Sequence, residues 1–295
     1  MDRTLLTPVD RRNPVRELAA PRAVGQIGQL ALLATDLVLL GRLGATALGA
    51  AGLAVLLFNQ LRTTGAGLVG AVGERVASAL TRAEARARAE ARARAEVRTV
   101  VGLRTGTWRR SAEYEVRDLV RGAVAVATVA GVAGALIMIG CGRLIGLLSQ
   151  DARFAAPAQA MLIALAPGLL PYLWCQALRQ YGLGMRRPAA STRVTLLSVG
   201  LNLGLSWVLG FGAGPVPGFG VAGIGAATGL VQLLGGGLLY LVMRRDPVLA
   251  PMLSLAGWRT SWPAVRRLLR SGGPTNRPGG VLGPAVVLLL GPEFA

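Results

Sequence analysis

The sequence predicts an all-α integral membrane protein with six spans, and three observations carry that prediction. The 295 residues are 53% hydrophobic and only 16% charged, with a mean hydropathy of +0.52, a balance that fits a membrane protein better than a soluble domain. Six stretches, 18–41, 51–73, 121–142, 157–180, 193–212 and 221–243, each offer the roughly 20 apolar residues needed to cross about 30 Å of hydrocarbon. The charge is one-sided: 32 basic against 14 acidic residues give a net +18, and every basic residue is Arg.

The same composition excludes several kinds of chemistry. With no His in the chain, His-based metal sites, His-containing triads and a histidine proton switch are ruled out. Cys141 and Cys175 lie far apart in apolar surroundings without CxxC spacing, so neither a disulfide scaffold nor a thiolate metal site is indicated. No nucleophile with a base and no carboxylate dyad is visible, so the chain does not read as an enzyme. No cofactor and no metal are expected.

Residues 1–17 lack a short apolar core followed by a small-residue cleavage site and read as a retained cytoplasmic tail. Spans one and two fill 18–73, an Arg-rich cytoplasmic insertion 74–120, spans three to six 121–243, and a cytoplasmic C-terminal segment 244–295. With the N-terminus inside, the cytoplasmic segments hold five Arg in 1–22, twelve in 75–121, four in 179–193 and seven in 244–277. That places 28 of the 32 on one side, leaving Arg42, Arg143 and Arg153 outside and Arg62 within span two. The bias predicts a multi-pass protein of the inner (plasma) membrane with both termini cytoplasmic. Residues 210–220, GFGAGPVPGFG, become an uncharged outer turn.

Within the insertion, RAEARARAEARARAEVR at 82–98 is built from helix formers and predicts a helix. Glu84 with Arg88 and Glu90 with Arg94 are favourable pairs, while Arg88 and Arg92 repel. Two readings stay open: adhesion to anionic lipid at ~1 kcal/mol per Arg near the surface, or a solvated extension of span two. Nucleic acid is not an expected partner, since the stretch has no aromatic platform.

Polar residues inside the spans are the site candidates. Asp36 is the one acid well inside a span, and Gln26, Gln29 and Asp36 share an arc of about 80° at 100° per residue. Such a carboxylate either faces a cavity and functions there or is kept neutral by a hydrogen bond to a neighbouring helix. Ser198, Asn202 and Ser206 recur every fourth residue on span five, and Thr228 and Gln232 do so on span six; hydroxyls and amides at such positions also serve as interhelical glue. Gly200 with Gly204 and Gly225 with Gly229 form GxxxG pairs that permit close helix approach. Pro167 and Pro171 each remove a backbone donor from span four and predict a kink there. Arg62, beside Asn59, Gln60, Thr63 and Thr64, must find a carboxylate, carbonyls or water, and Asp36 is the intramembrane acid available.

Residues 17–54, ELAAPRAVGQIGQLALLATDLVLLGRLGATALGAAGLA, resemble the first span and outer loop of the multidrug and toxic compound extrusion (MATE) family, an apolar helix ending in Asp before a GRLG-like turn. LRQYGLGMRRPAASTRVTLLSVGLNLGLSWVLGFG at 178–212 is similar to the family's fourth-to-fifth-span loop and Asn-bearing fifth span, and PGFGVAGIGAAT at 217–228 to its turn into span six. The resemblance, over roughly 17–75 and 115–272, implies the N-terminal six-span lobe of an antiporter that exports organic cations and drugs in exchange for protons or sodium ions. It implies Asp36, Asn202, Thr228 and Ser206 as cation-coupling residues, although Ser206 stands where many members carry Asn or Asp. Gln26, Gln29, Arg62 and Gln232 are the expected substrate-cavity residues.

The chain departs from the family in its Arg-rich insertion, in Arg62 and in having one half of a twelve-span pattern. VRRLLRSGGP at 265–274 resembles the approach to a seventh span, but 275–295 offer only about ten continuous apolar residues, too few to cross. Since transporter sites usually lie between repeats, the expectation is either a truncated or frame-disrupted product or a half-size transporter working as a homodimer or beside a separate partner lobe. Two alternatives remain: a lipid-linked precursor flippase of the same superfamily, and a non-transporting membrane scaffold whose basic loop binds lipid.

Overall fold

A computed structural model describes residues 14–96, 107–148, 151–187 and 189–253. These form six long helices: α1 (Pro14–Arg42), α2 (Ala45–Glu96), α3 (Thr107–Leu148), α4 (Ala152–Gly184), α5 (Ala189–Phe211) and α6 (Gly220–Arg245), followed by a short 3₁₀ turn at Ala250–Met252. Among the described residues, five of them, α2 to α6, contain a stretch long and apolar enough to cross a membrane, and α1 spans 29 residues. The predicted tail at 1–13, the 265–274 approach and the 275–295 segment lie outside the described residues.

α2 to α6 each contain a lipid-length apolar run, and they are helical because backbone polar groups in hydrocarbon must be satisfied within the element. α4 is the central element, packing against α2, α3 and α6. It runs unbroken through Pro157, Pro167 and Pro171. Asp151 caps it by accepting a hydrogen bond from the Arg153 N–H at 2.9 Å, which satisfies one of the orphan donors at a helix start.

Small residues set the crossings. A Cβ on Gly168 would lie 2.7 Å from the Gly229 Cα, so α4 and α6 meet backbone to backbone there. Gly65 and Gly73 of α2 sit against Leu173 and Gln180 of α4, and Gly131 and Gly134 of α3 against Leu170 and Leu169. The GxxxG pair on α5 behaves differently from its expectation: Cβ atoms on Gly200 and Gly204 would meet nothing within 4 Å among the described residues. Spacing creates a small-residue stripe but does not decide which way it faces.

Two apolar clusters fill the bundle. One, at the end with the short α1–α2, α3–α4 and α5–α6 connections, gathers Leu40, Phe58, Met138, Leu165 and Ile224 among others. The other lies toward the Arg-rich end around Val72, Val116, Leu173, Tyr181 and Met243, where the Tyr181 hydroxyl donates to the Leu249 carbonyl at 2.8 Å. The α5–α6 turn closes with a mutual pair of backbone hydrogen bonds between Ala213 and Val216 and places Gly212 at φ +88, a left-handed conformation that favours glycine.

The segment 74–120 is largely a continuation of its flanking helices. α2 carries on to Glu96 and α3 begins at Thr107, and Val76 and Ala79 join Val116 and Val120 in the core. Glu96 is 23 residues past Gly73, about 35 Å along a helix axis, several times the ~8–10 Å over which exposed charges are felt in salt. α2 thus carries part of the Arg-rich run in one helix with its apolar stretch. The nearer charges pair with protein: Arg82 with Glu115 at 2.6 Å, and Glu84 with Arg88 at 3.4 Å and Arg186 at 3.6 Å.

Candidate functional site

The most completely organised polar site is built around Asp36, six residues before the end of α1 and only 6% exposed. Three side chains from two other helices converge on it. The Asn202 amide of α5 donates to Oδ1 at 2.8 Å, the Thr228 hydroxyl of α6 to Oδ2 at 2.9 Å, and the Ser206 hydroxyl reaches Oδ1 at 3.5 Å. Asn202 and Ser206 are fully buried and Thr228 nearly so. Thr228 also lies 3.5 Å from Asn202 Oδ1 and 3.2 Å from the carbonyl of Ile224.

An ionised carboxylate only accepts hydrogen bonds, and these are donors, so the arrangement satisfies the charged form of Asp36 without a basic partner. Helical spacing makes this possible. Asn202 and Ser206 are one turn apart and share a face of α5, and the α5–α6 hairpin brings that face beside Thr228. The same four side chains carry oxygens that could surround a proton or a small monovalent cation. Among the described residues no group of three His, Cys, Asp or Glu side chains gathers.

The expected cavity residues are placed differently from one another. Gln232, one turn along α6 from Thr228, is buried. Gln26 and Gln29 belong to α1, but their side chains lie outside the described residues. Arg62 does not pair with Asp36. Its guanidinium carbon stands 5.1 Å above the ring centroid of Tyr172 on α4, a cation–π distance, and no ion pair among the described residues involves either Arg62 or Asp36. The reason is geometric: α2 packs along α4 and hardly against α1, so the aromatic ring is the nearer surface.

Tyr172 went unnoticed in the sequence, where it is one apolar-looking residue after Pro171. At the opposite end, Arg42 stacks over Trp207 at 5.4 Å, a tie between α1 and α5.

The MatE family model matches residues 111–208. A probable multidrug resistance protein NorM of Bradyrhizobium diazoefficiens is 33% identical over 264 residues, covering 88% of this chain and 50% of the relative, and its counterpart in Rhizobium meliloti is 30% identical over 260 residues with the same coverage. The chain is similar to one half of a MATE-family transporter. It spans about half the length of the curated relatives it matches. The crystal structure of the eukaryotic MATE transporter AtDTX14 superposes with a TM-score of 0.67 at 17% identity, over 88% of this chain and 51% of that one. The six-helix bundle is thus the fold of one MATE lobe.

Proposed function

We propose that this MATE-like chain is one lobe of a membrane antiporter that exports organic cations and drugs in exchange for protons or sodium ions. Asp36 is the coupling group, with Asn202, Thr228 and Ser206 holding it. The observation that supports this reading is the convergence of α1, α5 and α6 on one buried carboxylate that has donors but no fixed counter-ion. Such a group binds and releases a cation when the helices around it shift, and an intramembrane carboxylate carries a solvation cost that needs a functional or structural return.

The lobe works with a second surface, either another copy of the chain or a separately encoded lobe, since alternating access rocks two bodies about one site. In the membrane the Arg-rich ends of the helices face the cytoplasm. The test is ethidium transport in proteoliposomes with an imposed proton or sodium gradient. Gradient-driven transport by the wild-type chain that is abolished by Asp36→Asn supports the reading. Transport that persists undiminished in Asp36→Asn would remove Asp36 from the coupling role.

A further inference from the structure

α1 is held to the lobe chiefly through α5, with lighter contact to α2 and α6. Three contacts between α1 and α5 fall in the same order along both helices. A Cβ on Gly28 would lie 2.7 Å from Thr195 Cγ2, Asp36 accepts from the Asn202 amide at 2.8 Å, and the Arg42 guanidinium carbon stands 5.4 Å from the Trp207 ring centroid. The two helices therefore run parallel. The Asp36–Asn202 bond lies between a close helix approach on one side and a cation–π contact on the other. From that bond to the stacked pair is about 9 Å along α1 and about 7.5 Å along α5, at 1.5 Å of rise per residue.

Local sequence builds the stacked pair from both sides. Arg42 is the last residue of α1, where its charge suits the negative end of the helix dipole. Gly44 turns the chain just beyond it at φ +116, a conformation that favours glycine, so the point from which the Arg42 side chain departs is fixed. Trp207 directly follows Ser206 on α5. Phe211, one turn on, braces the indole with ring centroids 5.0 Å apart, within the range of favourable aromatic pairs.

The Asp36–Asn202 bond has little latitude. A slide of about 0.7 Å would lengthen it from 2.8 Å to the 3.5 Å at which Ser206 already stands, the edge of hydrogen-bonding range. The glycine contact resists such a slide weakly, being non-directional dispersion, whereas the cation–π contact requires the guanidinium over the ring face. We propose that Arg42 and Trp207 are positioning residues for the coupling carboxylate: their stacking holds α1 in register with α5, so that Asn202 and Ser206 meet Asp36. Their part in coupling rests on the transporter reading, while their effect on Asp36 does not.

The experiment follows Asp36 itself, as the rate at which the apolar reagent dicyclohexylcarbodiimide labels it in the full chain in phosphatidylcholine nanodiscs, read by mass spectrometry of the Asp36 peptide. Arg42→Gln and Trp207→Leu should each speed labelling by about two- to fivefold, the equilibrium shift that a partly exposed cation–π contact supports, because the donors shield the carboxyl from the reagent. The double change should be no faster than the quicker single one, since either removes the same contact. Arg42→Lys, which keeps a cation over the ring, should stay close to wild type. Trp207→Phe should fall between wild type and Trp207→Leu, and it carries the test where the larger change does not fold. Tyr181→Phe removes a buried hydrogen bond at the far end of the bundle and should lower stability without altering the labelling. In proteoliposomes Arg42→Gln should shift the half-saturating concentration of the driving cation by a similar factor and leave the KM for ethidium unchanged. Equal labelling of wild type and the folded Arg42 and Trp207 variants, effects that multiply in the double change, or the same acceleration by Tyr181→Phe overturns the positioning role. Faster labelling alongside transport that Asp36→Asn leaves undiminished keeps the positioning role and removes the coupling reading.

Discussion

Asn202 donates to Asp36 across 166 positions of sequence, with the amide nitrogen 2.8 Å from Oδ1, and this contact ties the α5–α6 hairpin to α1. The three donors around Asp36 are unequal, which predicts an order of stability losses. Asn202→Ala and Thr228→Val each remove a short bond to a buried carboxylate and should cost ~1–2 kcal/mol. Ser206→Ala removes a contact at the 3.5 Å limit and should cost clearly less. Thermal unfolding in detergent gives the ranking, and a Ser206→Ala loss equal to that of Asn202→Ala would contradict the geometry.

The residues around Asp36 were legible in the sequence because a polar side chain in a lipid-length apolar run needs a partner, and four-residue spacing aligns Asn202 with Ser206 and Thr228 with Gln232. The helices were legible for the same reason, although α2 and α3 run well past their apolar cores. The environment of Arg62 was not. Charge alone left a carboxylate, carbonyls or water as its partner with Asp36 the acid available, whereas the answer depends on which helices touch, and the α2–α4 crossing is set by Gly65 and Gly73 meeting Leu173 and Gln180. The α5 glycine stripe failed similarly, because periodicity defines a face without saying what lies opposite.

The stacking of Arg62 on Tyr172 leads to a double-mutant cycle with a defined outcome. Asp36→Asn and Arg62→Gln share no hydrogen bond or ion pair, so their stability effects should add within about 0.5 kcal/mol. Arg62→Gln with Tyr172→Leu should couple, since each change removes the same cation–π contact, worth ~1–2 kcal/mol when desolvated. A large coupling between Asp36 and Arg62 instead would mean that the two charges meet in the membrane.

Orientation is open to direct measurement. With 28 of 32 Arg residues in the sequence segments assigned to one side, reporters fused after Arg245 and within 82–98 should read cytoplasmic, and one inserted within 213–217 periplasmic. A periplasmic reading after Arg245 would invert the proposed topology or change the number of spans.

Gly168 of α4 and the Gly200–Gly204 pair of α5 should respond oppositely to the same substitution. A methyl group on Gly168 has the Gly229 backbone 2.7 Å away, and backbone yields far less readily than the end of a flexible side chain, so Gly168→Ala must push α4 from α6 along their whole contact. Overpacking of that kind costs ~1–3 kcal/mol, and here it also displaces Thr228 from Asp36, one residue from the crossing. Gly200→Ala and Gly204→Ala meet no atom within 4 Å among the described residues. In an open helical position alanine replaces glycine with a gain of ~0.5–1 kcal/mol, so both variants should be as stable as wild type or more so. Thermal unfolding of the three variants in one detergent decides the matter. Marked destabilisation by Gly200→Ala or Gly204→Ala would mean that this face of α5 packs closely against another molecule, as a lobe paired with a second lobe would require.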